Sequence, residues 1–161
     1  GNAILSRYPI VRWDNQDVSA HRFESRGMLH CEIKVPGWPD LLHCICVHLA
    51  LSAGHRNRQM RLLQTRIERR VPRSAPLIIA GDFNDWTRNA QQGLARVLDL
   101  HEAFESVRGR PARSFPAVLP LLQLDRIYVR GFVIEDAQVH HGHPWARISD
   151  HAALTSTLRR T

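Results

Sequence analysis

Apolar residues along the chain fall into short runs separated by turn residues, and the period within each run names the element. Residues 77–80 (LIIA) read as a strand buried on both faces. Residues 27–35 (GMLHCEIKV) and 41–49 (LLHCICVHL) are two more strands. The VPGWPD segment at 35–40 is a turn, so the pair predicts a hairpin. Met60, Leu63, Ile67 and Val71 recur at three- and four-residue spacing, one apolar stripe of a helix that starts near His55 and is ended by Pro72. Residues 41–80 therefore predict a strand–helix–strand crossover. A shorter helix is expected over 90–98, then an irregular loop rich in arginine and proline over 108–120. Strands follow at 124–129, 132–140 and 151–158. Residues 1–6 (GNAILS) read as a strand-like run closed by Tyr8 and Pro9. It has no loop or cap before it, as though the chain begins inside a fold. With no repeat, low-complexity tract or linker, residues 1–161 are expected to form a single domain of the α/β or α+β class with mixed sheets.

Composition narrows this picture only a little. The 161 residues, 43% of them hydrophobic, are enough for a sizeable core. No stretch is long and apolar enough to span a bilayer, and the first ten residues lack the pattern of a signal peptide, so a cytoplasmic protein is expected. Cys44 and Cys46 lie two apart on a strand and share a face, which suits neither a disulfide nor zinc. They and Cys31 are expected to be reduced core residues. Net charge is +7 with a sequence pI of about 10.6, and Lys34 is the only lysine among 22 basic residues. A basic surface favours anionic partners, and the arginines of the 55–71 helix suit either a solvated face or a nucleic acid backbone.

Polar groups collect where apolar runs end. Asp82, Asn84 and Asp85 follow the 77–80 strand in AGDFND, and Gly81 lets the backbone turn or approach a neighbour closely. By itself the segment reads equally as a turn or as part of a site. His48 lies at the end of a strand, Asp125 opens LDRIYV, and Asp150 and His151 sit in SDHAAL. Each has a structural reading: a satisfied core histidine, a strand cap, a turn residue. Together they are acid, amide and imidazole groups at strand ends, where α/β proteins place their chemistry, and they predict one shared site.

The segments GNAILSR, VHL, AGDFND, LDRIYV and SDHAAL, in this order, resemble the endonuclease/exonuclease/phosphatase family of metal-dependent phosphoesterases, from residue 1 to about 158. The resemblance implies a DNase I-like four-layer α/β sandwich with two mixed sheets face to face. It implies that Asp82 orients or deprotonates the attacking water. Asn84 would bond the water or phosphate or touch the metal. His151 would contact phosphate with its tautomer fixed by Asp125, and His48 would donate to phosphate or to the leaving oxygen. Asp150, with Asn84, would ligate Mg²⁺ or Mn²⁺, hard cations that prefer oxygen. Apart from the resemblance, Trp86 and Trp145 could flank the substrate by their place beside AGDFND and SDHAAL, although the better reading is that they are ordinary half-buried aromatics, and Arg113, Phe115 and Arg147 are substrate-contact candidates on loop position alone.

The family pattern also holds an N-terminal strand with a metal-binding asparagine, and a later glutamate that is the principal metal ligand. Neither matches here, since Glu24 and Glu32 lack that context. The chain is therefore expected to be an N-terminally truncated member with apolar surface and unpaired edges exposed, prone to self-association through the incomplete sandwich. The expected activity is hydrolysis of a phosphodiester in a phosphate-bearing substrate, with nucleic acid favoured by charge over a phospholipid headgroup or a small metabolite. The alternative is a non-catalytic member that binds an anionic ligand.

Overall fold

The computed structural model describes residues 1–19, 25–85 and 89–161. In chain order the strands are β1 (Ile10–Asp17), β2 (Gly27–Ile33), β3 (Leu42–His48), β4 (Leu77–Asp82), β5 (His101–Glu102), β6 (Asp125–Arg130), β7 (Phe132–His140) and β8 (Ala153–Arg160). The helices are α1 (Ala53–Arg70), α2 (Asn89–Leu98) and α3 (Ala103–Arg108). Six strands form one mixed sheet in the order β1-β2-β3-β4-β6-β5, and β7 and β8 form a second. This is the DNase I-like mixed α/β architecture that the family resemblance implies, except that the second sheet is an antiparallel pair rather than a mixed sheet.

The predicted hairpin is present: β2 and β3 pair antiparallel, with Cys31 opposite Cys44. All three cysteines are free. The predicted crossover is present too, since β3 and β4 are parallel and α1 joins them. Ser52 caps α1 by accepting the N–H of His55, and Arg69 and Arg70 face the negative end of the helix dipole in its last turn. Met60, Leu63 and Ile67 carry its apolar stripe into a core with Ile45, Val47, Leu77, Ile79 and Tyr128. Each such aliphatic side chain contributes about 1.5–3 kcal/mol by leaving water. The opposite face of the sheet is covered at two flanks. Phe104, Ala112 and Ala137 pack near β6, and Cys31, Ile33 and Val35 pack with Ile4 and Trp38 near β2. Between the flanks Cys46 and Ala80 stay half-buried.

Three sequence expectations need correction. Residues 1–6 form no strand; Asn2 instead donates from Nδ2 to the carbonyls of Gly27 (2.7 Å) and Cys46 (3.1 Å). The first strand begins after Pro9, and nearly all its residues are exposed, so it shows no alternation to read. The last strand starts at Ala153 rather than 151, because the Ala152 N–H bonds to the Ser114 carbonyl at 2.7 Å and holds the chain off the ladder.

Candidate functional site

Strand register does the assembling. His48, the last residue of β3, lies opposite Asp82, the last residue of β4. Asp82 lies opposite Asp125, the first residue of β6. Partners in a ladder project to the same face, so an imidazole and two carboxylates stand in one row across three strands at one end of the sheet. Gly81 makes the row possible. Its φ is +139°, and a Cβ there would sit 2.0 Å from the Val47 carbonyl oxygen. A side chain would drive β4 away from β3 next to Asp82.

His151 joins the row from the turn before β8. Its Nδ1 donates to Asp125 Oδ2 at 2.7 Å, since a carboxylate can only accept, which leaves Nε2 for a substrate. The Phe115 ring lies against the imidazole with centroids 5.1 Å apart. Ser114 ties the two anchors together: its Oγ accepts the Asp125 N–H at 3.2 Å and its carbonyl accepts the Ala152 N–H at 2.7 Å.

Asp82 is held from its own turn. It accepts the Asn84 backbone N–H at 2.8 Å and the Asn84 amide at 3.2 Å. Asn84 is buried, has φ +49°, and also donates to the Leu49 carbonyl at 2.9 Å. Asn is among the few residues that tolerate this left-handed conformation. Asp85 points the other way. Its Oδ1 lies 3.7 Å from the buried guanidinium of Arg56, which also donates to the Leu51 carbonyl at 2.7 Å. Asp85 therefore clamps this turn to the start of α1 rather than facing the row.

Arg26 was not anticipated. Its guanidinium donates to His48 Nε2 at 2.9 Å, while that nitrogen lies 3.6 Å from Asp82 Oδ2. A guanidinium cannot accept, and its Nη1 lies 3.4 Å from His48 Nδ1 as well, so the shorter contact at Nε2 favours the tautomer with its proton on Nδ1. Nothing in the local sequence marks Arg26, which reaches the site only because Gly27, beside it, pairs with His48 across the β2–β3 ladder.

The electrostatics separate the three titrating groups. Burial, then the charge of Asp125, push the Asp82 carboxyl up to about 6, against the pull of the Asn84 N–H. Burial and the Arg26 charge hold His48 below the usual imidazole value, so it is neutral at pH 7. For His151 burial works downward, but the bond and charge of Asp125, then the charges of Asp82 and Asp150, outweigh it and raise the imidazole. The site thus pairs a carboxylate that releases its proton late with a histidine that keeps its proton longer than usual.

Asp150 is exposed, and its carbonyl accepts the Ala117 N–H at 2.7 Å. Arg147 is exposed in a short 3-10 turn, Trp145–Arg147, whose Trp145 ring packs on His140. Trp86 lies outside the described residues. Among the described residues no three His, Cys, Asp or Glu side chains converge as a metal site needs. Asp125 is engaged by His151 and Asp82 by Asn84, so the donors present do not by themselves make a complete Mg²⁺ or Mn²⁺ site.

Comparison with known proteins bears on the family and the fold. The sequence model of the Endonuclease/Exonuclease/phosphatase family matches residues 1–151. The uncharacterized protein YbhP of Escherichia coli (strain K12) is 42% identical over 158 residues, which are 98% of this chain and 62% of YbhP. YbhP of Shigella flexneri matches to the same extent, so the chain spans less than two thirds of the length of these curated relatives. Among solved structures, the human Nocturnin catalytic domain with bound sulfate superposes with a TM-score of 0.76 at 20% identity, covering 96% of this chain and 60% of that one. The Bacteroides thetaiotaomicron mannosyl-6-phosphatase Bt3783 gives 0.71 at 18% identity, covering 94% and 67%. At these identities the structural likeness speaks for the fold.

Proposed function

The chain belongs to the endonuclease/exonuclease/phosphatase family, and from that premise we propose that it is a phosphoesterase cutting a phosphodiester at the His48–Asp82–Asp125–His151 row. The observation that carries the reading is the register that lines up His48, Asp82 and Asp125, with His151 held on Asp125 at 2.7 Å. A fold needs no such row at a sheet end, where water would satisfy each group separately. The family is generally hydrolytic, and two proteins of this fold, one solved with sulfate and one named a phosphatase, support chemistry on a tetrahedral oxyanion.

In this reading a water attacks phosphorus while its proton passes to Asp82, whose raised pKa suits a base working near neutral pH. The bond from phosphorus to the leaving oxygen breaks, and that oxygen takes a proton from solvent. His151, protonated and aligned by Asp125, donates from Nε2 to a non-bridging oxygen as charge builds there. Arg26 adds a second cation beside His48. Divalent metals are general in the family and would supply Lewis-acid stabilisation. The donors described here do not complete such a site, so no step is routed through a metal.

The test is hydrolysis of bis(4-nitrophenyl) phosphate and of a labelled DNA duplex, with and without Mn²⁺, by wild type and Asp82→Asn. Turnover that falls at least about a hundredfold in the variant supports the reading. Turnover that survives it refutes Asp82 as the base. The incomplete set of metal donors favours a second reading, an anion-binding member without turnover. Ligand binding that persists in Asp82→Asn, with no hydrolysis by either protein, would select it.

A further inference from the structure

We infer that the cleft between α3, the 109–124 loop and the end of β7 is a second phosphate-binding subsite, separate from the His151 row. The cavity is about 360 Å³. Phe104 and Ala112 form a buried floor, and Arg108, Arg110, Arg113 and His141 stand on the rim. Among the described residues no carboxylate lines it. The Arg108 guanidinium lies over the Phe104 ring at 6.0 Å, which fixes one cation at the wall. Arg110 and Arg113 are exposed, and neither forms an ion pair with any described residue.

Three guanidinium groups line one concavity, where a bound anion would meet more than one of them. The forked guanidinium matches phosphate oxygens two at a time, which makes phosphate the ligand class that this rim fits best.

Position gives the subsite its role. Arg113 precedes Ser114, the residue that anchors both Asp125 and Ala152. The cleft thus begins one residue from the scaffold of the row. As the seat of a second phosphate on the same substrate, the subsite rests on the phosphoesterase reading. It predicts a substrate whose phosphates are spaced along a chain, such as a nucleic acid strand. As a phosphate site, it stands on its lining alone.

The experiment titrates the full chain with inorganic pyrophosphate and with a short oligothymidylate, following amide shifts by NMR. It compares wild type, Arg110→Ser/Arg113→Ser and His151→Ala. Both arginines are exposed, so the double variant is expected to fold, and its amide spectrum checks that directly. Pyrophosphate affinity that drops at least about tenfold in the double variant but persists in His151→Ala supports the subsite, even if no hydrolysis is ever found. Oligothymidylate binding that drops in both variants would extend the substrate across the two sites. Pyrophosphate affinity unchanged in the double variant overturns the inference. So does pyrophosphate affinity lost in His151→Ala, which would place the bound anion at the row.

Discussion

Replacing Asp82 by Asn should stabilise the protein while removing the proposed hydrolysis, and the gain should depend on pH in a definite direction. Burial and Asp125 lift the Asp82 carboxyl from 3.8 to about 6. At 1.36 kcal/mol for each pH unit, keeping it ionised in the fold costs ~3 kcal/mol. The side chain is 18% exposed, and solvent screening reduces that to ~2 kcal/mol. Asn keeps one oxygen for the Asn84 backbone N–H, but it loses a charge-assisted bond and faces the Asn84 amide with a poorer partner, a loss of ~1 kcal/mol. The net expectation is a gain of ~1 kcal/mol at pH 8, or about 2–4 °C in Tm for a chain of this size. The sign follows from linkage. The folded state holds this proton more tightly than the unfolded chain, so the wild-type contribution is fully present below 3.8 and is lost as pH rises through about 6. At pH 4 the variant's advantage should therefore be gone. Urea denaturation of both proteins at pH 4 and pH 8 measures it. A variant less stable than wild type at pH 8, or a difference equal at the two pH values, would show that Asp82 is not strained by its surroundings.

The same shifts shape the rate. If Asp82 accepts a proton and His151 must carry one, kcat/KM should rise with an apparent pKa near 6 and fall with one above the usual imidazole value; a profile flat from pH 5 to 9 would contradict both roles. Asp125→Asn should drop the His151 pKa, because burial then acts against a weaker opposing charge. An NMR titration of the ring protons would read this, and an unmoved midpoint would mean that the 2.7 Å bond does not set the histidine's charge. Gly81→Ala should cost at least ~3 kcal/mol in urea, since its Cβ would meet the Val47 carbonyl oxygen at 2.0 Å with φ at +139°. A loss under ~1 kcal/mol would mean that β3 and β4 can part without penalty.

The parts of the fold legible in the sequence are those whose pattern is enforced by two-sided or one-sided burial. β3 alternates because Ile45 and Val47 face α1, and α1 shows its stripe for the same reason; β4 reads as an unbroken apolar run suited to burial on both faces, yet only Leu77 and Ile79 on the α1 side are fully buried while Ile78 and Ala80 stay half-buried. β1 was not legible because it is an edge strand with almost every side chain exposed, so neither face leaves a mark. The opening GNAILS misled because Ile4 does pack, but against Cys31 and Trp38 from a segment without ladder bonds. α3 is only six residues long, too short for a period, and is held by Glu102 accepting the Glu105 N–H at its start and by Gly109 at its end. At the site, the end-of-strand rule found His48, Asp82, Asp125 and His151. It could not find Arg26, whose place depends on pairing between strands, nor tell that Asp85 serves Arg56.

That dependence on pairing says where the site's precision comes from. His48 and Asp82 make few contacts with each other; their separation of 3.6 Å is longer than a hydrogen bond. What aligns them is the core beneath. A slip of one residue between β3 and β4 would turn Val47 and Ile79, both within 1% of full burial, toward the open face and His48 or Asp82 into the apolar layer against α1. Burying either polar group without a partner costs more than any contact within the row returns. Gly81 sharpens the same choice, because only a residue without a side chain fits opposite Val47, and that places Asp82 beside His48. The polar row is thus specified by hydrophobic residues that never touch a substrate. Truncating Val47 or Ile79 should therefore reduce activity through misalignment as well as through stability.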